Sequence, residues 1–169
     1  LSTIILRNFL IIDNIYIIVF SIIPITILSF VDDFINIKIR YRLLAQVITS
    51  IILITAGNIY IYSPNLLSLF TILFLILVST TIINVANFMD GIDGLLAGSM
   101  ILVIFTSTFY LEIISPSICI LLGSLLGFLF FNRHPAKIFM GDVGSIFLGC
   151  IYAGIAFLAS DFKSLISII

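Results

Sequence analysis

Residues 66–94 read LLSLFTILFLILVSTTIINVANFMDGIDG, and this stretch decides the class of the fold. Its first part, residues 66–83, has no charged side chain, and a helix needs about 20 mostly apolar residues to cross a bilayer core. Its second part, residues 84–94, contains amide and carboxylate side chains around two glycines. We therefore predict a membrane helix that leads directly into a polar functional segment.

The composition of the whole chain is that of an integral membrane protein. Of its 169 residues, 62% are hydrophobic and 9% are charged, whereas soluble domains carry about 25% charged residues. A soluble fold could not cover this much apolar surface, so the lipid bilayer is an expected partner. The net charge of −1, with no basic tract, gives no reason to expect a nucleic acid partner.

Apolar runs of similar length recur along the chain. They are too long for strands and show no alternation of apolar and polar residues. They predict six membrane helices, near residues 15–31, 43–61, 66–83, 95–111, 117–131 and 146–160. We expect an all-α integral membrane protein with about six transmembrane helices, in which residues 1–169 form a single membrane domain.

Three polar islands interrupt the apolar runs. They are residues 31–42 (VDDFINIKIRYR), 84–94 (NVANFMDGIDG) and 131–145 (FNRHPAKIFMGDVGS), and they hold ten of the 15 charged residues. Two predicted helices separate each island from the next, so all three should emerge on one face. The opposite turns, residues 58–65 and 112–116, contain no Lys or Arg, which predicts that the islands form cytoplasmic active-site loops.

The first island places Asp32 and Asp33 side by side where a predicted membrane helix ends. Two acids can simply mark the boundary between membrane and water. Alternatively, one carboxylate binds a cation or a proton while its neighbour tunes it, because like charges this close raise one pKa unless a cation relieves them. The residues alone leave both interpretations open.

The second island favours function more strongly. Asn84 and Asn87 are three residues apart, so a helix places them on one face. Asp90 and Asp93 follow in a glycine-punctuated turn, and glycine permits tight backbone and close approach of a ligand. A polar helix end with a glycine stop is the alternative, but it does not explain four amide or acid side chains in ten residues.

The third island places Asp142 between two glycines, with Arg133 and Lys137 nearby. An acid in a flexible turn beside cations fits a divalent metal that holds a phosphate, since Mg²⁺ is usually bound by one or two carboxylates plus substrate phosphates. His134, the one histidine, precedes a proline and is interpreted as a loop residue rather than a base. No P-loop, HExxH, GxSxG or EF-hand spacing occurs.

Taken together, the islands resemble the motifs of a known family. VDDFINIKIRYRLLAQ (31–46), NVANFMDGIDGLLAG (84–98) and FNRHPAKIFMGDVGSIFLG (131–149) are similar in order and spacing to those of the polyprenyl-phosphate N-acetylhexosamine-1-phosphate transferases, the MraY–WecA-like glycosyltransferase 4 group. The resemblance covers residues 15–160. It implies transfer of N-acetylhexosamine 1-phosphate, with GlcNAc-1-phosphate as the default, from a UDP-N-acetylhexosamine to polyprenyl phosphate, with release of UMP.

The resemblance also implies roles for particular residues. Asp142 would bind Mg²⁺, with Mn²⁺ as an alternative cofactor. Asp32 would engage or deprotonate the lipid phosphate, with Asp33 beside it. The expected catalytic residues are Asp32, Asp33, Asp90 and Asp93. The expected substrate-binding residues are Asn84, Asn87, Arg133 and Lys137.

The same resemblance bears on context. It implies a bacterial cytoplasmic membrane location, a role in cell-envelope polysaccharide synthesis and, as in some relatives, a homodimer. Family members carry further spans before the first motif and a histidine-rich loop after the third, so we expect a central portion of a longer fold. One alternative is therefore an inactive fragment or a non-catalytic membrane subunit. A second is an ion-coupled transporter, although the acids cluster at one face and no inverted repeat is evident.

Overall fold

The structure is a computed structural model that describes residues 2–56, 66–111 and 116–159. These residues form six α-helices and no strand. The helices are α1 (Ser2–Ile35), α2 (Ile39–Ala56), α3 (Leu66–Met89), α4 (Leu95–Leu111), α5 (Pro116–Asn132) and α6 (Gly141–Ala159). The predicted all-α class is confirmed, and each predicted membrane helix overlaps one observed helix. The turns on the side opposite the islands lie outside the described residues.

The helices extend into the polar islands further than expected. Helix α1 continues past Asp32 and Asp33, α3 continues to Met89, and α6 begins at Gly141 rather than near residue 146. Hydropathy marks where side chains become polar, whereas a helix ends where its backbone hydrogen bonds end. The prediction of a flexible turn around Asp142 is therefore wrong, because this residue lies in the first turn of α6.

One helix meets both requirements for a membrane crossing among the described residues. Ser68–Met89 is long enough and apolar enough, whereas the apolar helices Leu95–Thr108, Pro116–Asn132 and Gly141–Phe157 are shorter. Large apolar side chains such as Phe20 and Phe74 are exposed on the outer faces of the helices. Six crossings with cytoplasmic loops stay a prediction.

Helix α6 lies at the centre of the fold, where it packs against α1, α2, α3 and α4, while α5 packs against α4. Its residues enter two buried clusters. Ile146, Cys150 and Phe157 pack with residues of α1, α2 and α3, and Leu148 packs with residues of α3, α4 and α5. The helix that carries Asp142 is thus fixed by most of the apolar core.

A glycine sets how closely α3 approaches α6. A Cβ atom built on Gly149 would lie 2.9 Å from the Ile83 Cα atom and 3.0 Å from the Ala86 Cβ atom. By contrast, no atom of another part of the described chain lies within 4 Å of a Cβ built on Gly123 or Gly127 of α5. Close packing of α3 on α6 brings the second island against the third.

Candidate active site

An arginine of α2 connects the first island to the third. The Arg42 guanidinium places Nη1 2.9 Å from Asp32 Oδ2 and Nη2 2.9 Å from Asp142 Oδ2. Asp32 comes from the end of α1 and Asp142 from the start of α6, 110 positions apart in the chain. We call this arrangement the arginine bridge. It brings together two of the carboxylates that the sequence singled out.

The two adjacent aspartates of the first island have different surroundings. Asp32 is 8% exposed, and its Oδ1 atom accepts a hydrogen bond from the backbone N–H of Ile37. Asn36 permits this turn because its φ of 48° lies in the left-handed region, which Asn tolerates better than most residues. Asp33 is exposed. Asp32 is therefore held by protein donors, while Asp33 faces the surroundings.

Polar groups of the second island pair with the third island in antiparallel order. Ser145 Oγ lies 2.6 Å from Asn87 Oδ1, and the Gly141 N–H donates to Asp90 Oδ2 at 2.8 Å. The Ala136 N–H donates to Asp93 Oδ2 at 3.1 Å. We call these contacts the loop zipper, together with the pairing of Gly94 and Asn132 described next. The three-residue spacing of Asn87, Asp90 and Asp93 matches successive positions along the partner segment.

Asn132 closes the far end of the loop zipper. This side chain is 2% exposed; its Oδ1 accepts from the Gly94 N–H at 3.0 Å, and its Nδ2 donates to the Ile138 carbonyl at 2.9 Å. Gly94 adopts φ of 71°, a conformation that favours glycine. One buried amide thus connects the turn after α3 with the loop before α6, and satisfies its own polar atoms in doing so.

Hydrogen bonds also connect the second island to α2. Asn84 and Gln46 exchange hydrogen bonds, with Asn84 Nδ2 donating to Gln46 Oε1 at 3.0 Å and Gln46 Nε2 donating to Asn84 Oδ1 at 3.2 Å. Gln46 lies one helical turn from Arg42, so α2 contacts α3 through one residue and the arginine bridge through the other. The three islands therefore meet at one end of the helices, as the helix parity predicts.

Hydrogen bonds alter the pKa of the Asp93 carboxyl. The backbone N–H of Ala136 and the ring of His134, whose Nδ1 lies 2.9 Å from Asp93 Oδ2, hold the pKa of Asp93 below its ordinary value of 3.8. Hydrogen bonds to the charged form are the main cause. Asp93 is therefore ionised at neutral pH and tied to the loop before α6.

Arg133 and Lys137 take exposed positions in that loop. The Arg133 guanidinium lies over the Phe130 ring, 4.8 Å from its centre. The Lys137 N–H donates to the Phe131 carbonyl at 2.9 Å. Within the described part of the chain, neither cation pairs with an aspartate. Both remain predicted substrate-binding residues.

Comparison with known proteins identifies the family of this arrangement. The model of glycosyl transferase family 4 matches residues 15–160, which include the arginine bridge and the loop zipper. The chain belongs to glycosyl transferase family 4. The resemblance stated from the three motifs is thereby confirmed.

Individual members of glycosyl transferase family 4 give the extent of the likeness. A phospho-N-acetylmuramoyl-pentapeptide-transferase from Deinococcus radiodurans is 44% identical over 93 residues, which cover 55% of this chain and 28% of that protein. Proteins of the same name from Carboxydothermus hydrogenoformans and Halalkalibacterium halodurans are each 32% identical, covering 78% and 80% of this chain. The chain spans 50% and 49% of their lengths, about half.

The glycosyl transferase family 4 resemblance implies Mg²⁺, and the donors present fit one mode of binding it. Among the described residues, no group of three or more His, Cys, Asp or Glu side chains lies close enough to enclose a metal ion. Asp142 is 39% exposed at its side chain and shares the Arg42 guanidinium with a second carboxylate, Asp32. That geometry fits an ion held by one or two protein carboxylates and completed by substrate phosphates.

Sequence reasoning did not select several residues that hold this family 4 site together: Arg42, Gln46, Asn132 and Ser145. Two signals were available. Arg42 and Gln46 are four residues apart, and so share a helix face, and Asn132 is an amide that directly follows an apolar run. Neither signal names a partner, because the contacts bridge segments far apart in sequence.

Proposed function

We propose that this chain forms the phosphate and nucleotide site of a membrane transferase that moves an N-acetylhexosamine 1-phosphate from a UDP-sugar to a polyprenyl phosphate. The observation that carries the proposal is the arginine bridge, in which charged groups of the first and third islands meet at the end of an apolar helix assembly. A soluble nucleotide sugar and a membrane lipid can both reach such a position. Phosphoryl transfer relies mainly on positioning and charge neutralisation, which this cluster supplies.

The reaction balances without an oxidant or a further co-substrate. An oxygen of the lipid phosphate attacks the β-phosphorus of the UDP-sugar, the bond from that phosphorus to the oxygen bridging to the α-phosphorus breaks, and UMP leaves with the bridging oxygen. The product is a polyprenyl diphosphate sugar. A bound Mg²⁺ would neutralise charge on the diphosphate and on the leaving group.

The residues divide this work according to their surroundings. The family resemblance assigns the lipid phosphate to Asp32, but Asp32 is buried and paired with Arg42. We therefore propose that the exposed Asp33 meets the lipid phosphate and that Asp32 positions Arg42. Asp142 holds the metal. Asp90 and Asp93 act through the loops that they fix, since each accepts a backbone N–H of the third island.

Substrate contacts complete the proposed site. Arg133 and Lys137 are exposed cations near the zipper, where a diphosphate would find them. Asn84 and Asn87 line the start of the second island and orient the nucleotide end of the donor. Asn87 is joined to Ser145, which keeps its amide in place beside the first turn of α6.

For the sugar, the names of the relatives favour the N-acetylmuramoyl-pentapeptide donor over the GlcNAc donor expected from the sequence. We place the protein in a bacterial cytoplasmic membrane as a multi-pass homodimer with the islands facing the cytoplasm. The exposed apolar faces of the helices support the membrane location, and the Lys and Arg residues gathered in the islands support the cytoplasmic orientation. An ion-coupled transporter is disfavoured because four of the five island aspartates, all except Asp33, are tied to protein donors at one end of the fold.

The direct test is release of UMP by the purified chain in lipid nanodiscs that contain undecaprenyl phosphate. Reactions with Mg²⁺ receive either UDP-N-acetylmuramoyl-pentapeptide or UDP-GlcNAc, and a lipid-linked diphosphate sugar should accumulate in step with UMP. Protein of native helix content that releases no UMP from either donor would contradict the proposal, and would favour a non-catalytic member of the family.

A further inference from the structure

We propose that Arg42 is a built-in counter-ion that neutralises Asp142 in the metal-free protein and releases it when a divalent cation binds. The proposal rests on the proposed function in one respect, which is that Asp142 is where the cation binds. Arg42 would act by positioning other groups and by exchanging partners.

The geometry of the arginine bridge separates a fixed contact from an exchangeable one. Asp32 is buried and also accepts the Ile37 N–H, so its contact with Arg42 Nη1 is held in place. Asp142 is 39% exposed at its side chain, so its contact with Nη2 is open to solutes. Arg42 can therefore turn away from Asp142 while it stays paired to Asp32.

Like charges place a divalent cation and Arg42 in competition for Asp142. A guanidinium is permanently protonated in proteins, so Arg42 carries a full positive charge at every relevant pH. A divalent cation at the same carboxylate would lie close to that charge and be repelled by it. Binding of the cation at Asp142 therefore opposes the contact of Arg42 with Asp142.

The released arm of Arg42 has a suitable new partner. Guanidinium groups pair well with phosphate oxygens, and Arg is more weakly hydrated than Lys. With Nη1 kept on Asp32, Nη2 would be available to a substrate phosphate beside Asp142. The same side chain would thus stabilise the empty site and then help to hold the diphosphate.

Mn²⁺ binding to the purified chain, without nucleotide or lipid phosphate, tests the exchange. Electron paramagnetic resonance gives the free Mn²⁺ and hence the Kd. We expect Arg42→Gln to bind Mn²⁺ about tenfold more tightly than wild type, because a repelling charge is removed. Its kcat for UMP release should nevertheless fall by about 100-fold, because the phosphate loses a partner.

The matched control is Arg40→Gln, which removes the same charge two residues away. Arg40 is exposed, and its guanidinium lies over the Tyr41 ring, 5.3 Å from the ring centre. The Arg40→Gln variant should therefore have a Mn²⁺ Kd within about twofold of wild type. Arg42→Lys keeps the charge but lacks a planar fork that reaches two carboxylates, so it should bind Mn²⁺ with intermediate affinity. Helix content by circular dichroism verifies that each variant is folded.

The outcomes separate this inference from the proposed function. Weaker or unchanged Mn²⁺ binding by folded Arg42→Gln, relative to Arg40→Gln, would overturn the exchange and leave Arg42 a structural residue. A wild-type chain that binds no Mn²⁺ would also overturn it, even if UMP were released. Tighter Mn²⁺ binding by Arg42→Gln, together with no UMP release by the wild-type chain, would support the exchange while contradicting the transferase proposal.

Discussion

The arginine bridge and the loop zipper hold the same polar islands together by different means. In the bridge, two carboxylates from α1 and α6 share one guanidinium. In the zipper, two carboxylates accept backbone N–H groups, and an amide accepts from a serine hydroxyl. Backbone donors cannot move without moving the loop, whereas a guanidinium can be replaced by another cation. The aspartates of the zipper thus fix the loops in place, whereas the aspartates of the bridge hold a cation that can be exchanged.

The largest expected effect comes from removing the exposed carboxylate of the bridge. Asp142→Asn keeps the size of the side chain and an oxygen for Arg42, but loses the charge that would hold a metal. We expect UMP release to fall by about 100-fold or more, with helix content unchanged. Asp90→Asn, whose Oδ1 can still accept the Gly141 N–H, should lose less activity. Equal losses in the two variants would erase the distinction between bridge and zipper.

A smaller but clear effect is expected at the closing amide of the zipper. Asn132→Ala leaves the Gly94 N–H and the Ile138 carbonyl without their partner, which should lower the free energy of unfolding by about 2 kcal/mol. Thermal unfolding in detergent measures this change. Ser124→Ala, on the exposed side of the same helix, is the control and should shift stability by less than about 0.5 kcal/mol. An Asn132→Ala variant as stable as that control would show that the zipper contributes little.

Packing beneath the zipper offers a third test that changes no polar group. Gly149→Ala forces a Cβ against the backbone of Ile83 and should destabilise the protein by about 1–3 kcal/mol. Gly127→Ala is the control, because it meets open space in a helix, and should be neutral or stabilising by up to about 1 kcal/mol. If Gly149→Ala unfolded at the same denaturant concentration as Gly127→Ala, the close contact between α3 and α6 would be refuted.

The smallest effect concerns the acidity of Asp93. Because its pKa is lowered in the folded protein, its contribution to stability is complete above its ordinary value of 3.8 and is lost as the pH falls through the folded value. Hydrogen exchange of the Ala136 amide, corrected for the intrinsic rate, should therefore keep its protection at the ordinary value of 3.8 and lose it only at lower pH. The Gly94 amide is the internal control, because its acceptor is the Asn132 amide, which does not titrate. Parallel loss of protection at both amides would indicate general unfolding instead.

Much of the fold follows from the sequence because the length of each apolar run, and the number of runs between two polar islands, can be read without knowing any tertiary contact. The six helices and the meeting of the three islands were predictable from runs of uncharged residues and from counting them. The shared helix face of Asn84 and Asn87 follows from a three-residue spacing. None of these inferences needs to know which side chains touch.

The remaining features depend on contacts between distant segments. Arg42 and Asp142 are 100 positions apart, and nothing in either island specifies the other as its partner. Gly123 and Gly127 show the spacing of a helix contact, yet among the helical glycines of the described residues it is Gly149 that lies against another helix. Likewise, the family resemblance selects Asp32 for the lipid phosphate, whereas the fold buries Asp32 and exposes Asp33.

The close contact at Gly149 is the point about which a tilt of α6 would move Asp142. Asp142 lies seven residues before this close contact, or about 10 Å along the helix axis at 1.5 Å per residue. A tilt of about 5° around the contact would therefore carry the start of α6 sideways by about 1 Å. That displacement is a large fraction of the 2.9 Å that separates Arg42 from Asp142, so this ion pair is sensitive to the inclination of a single helix.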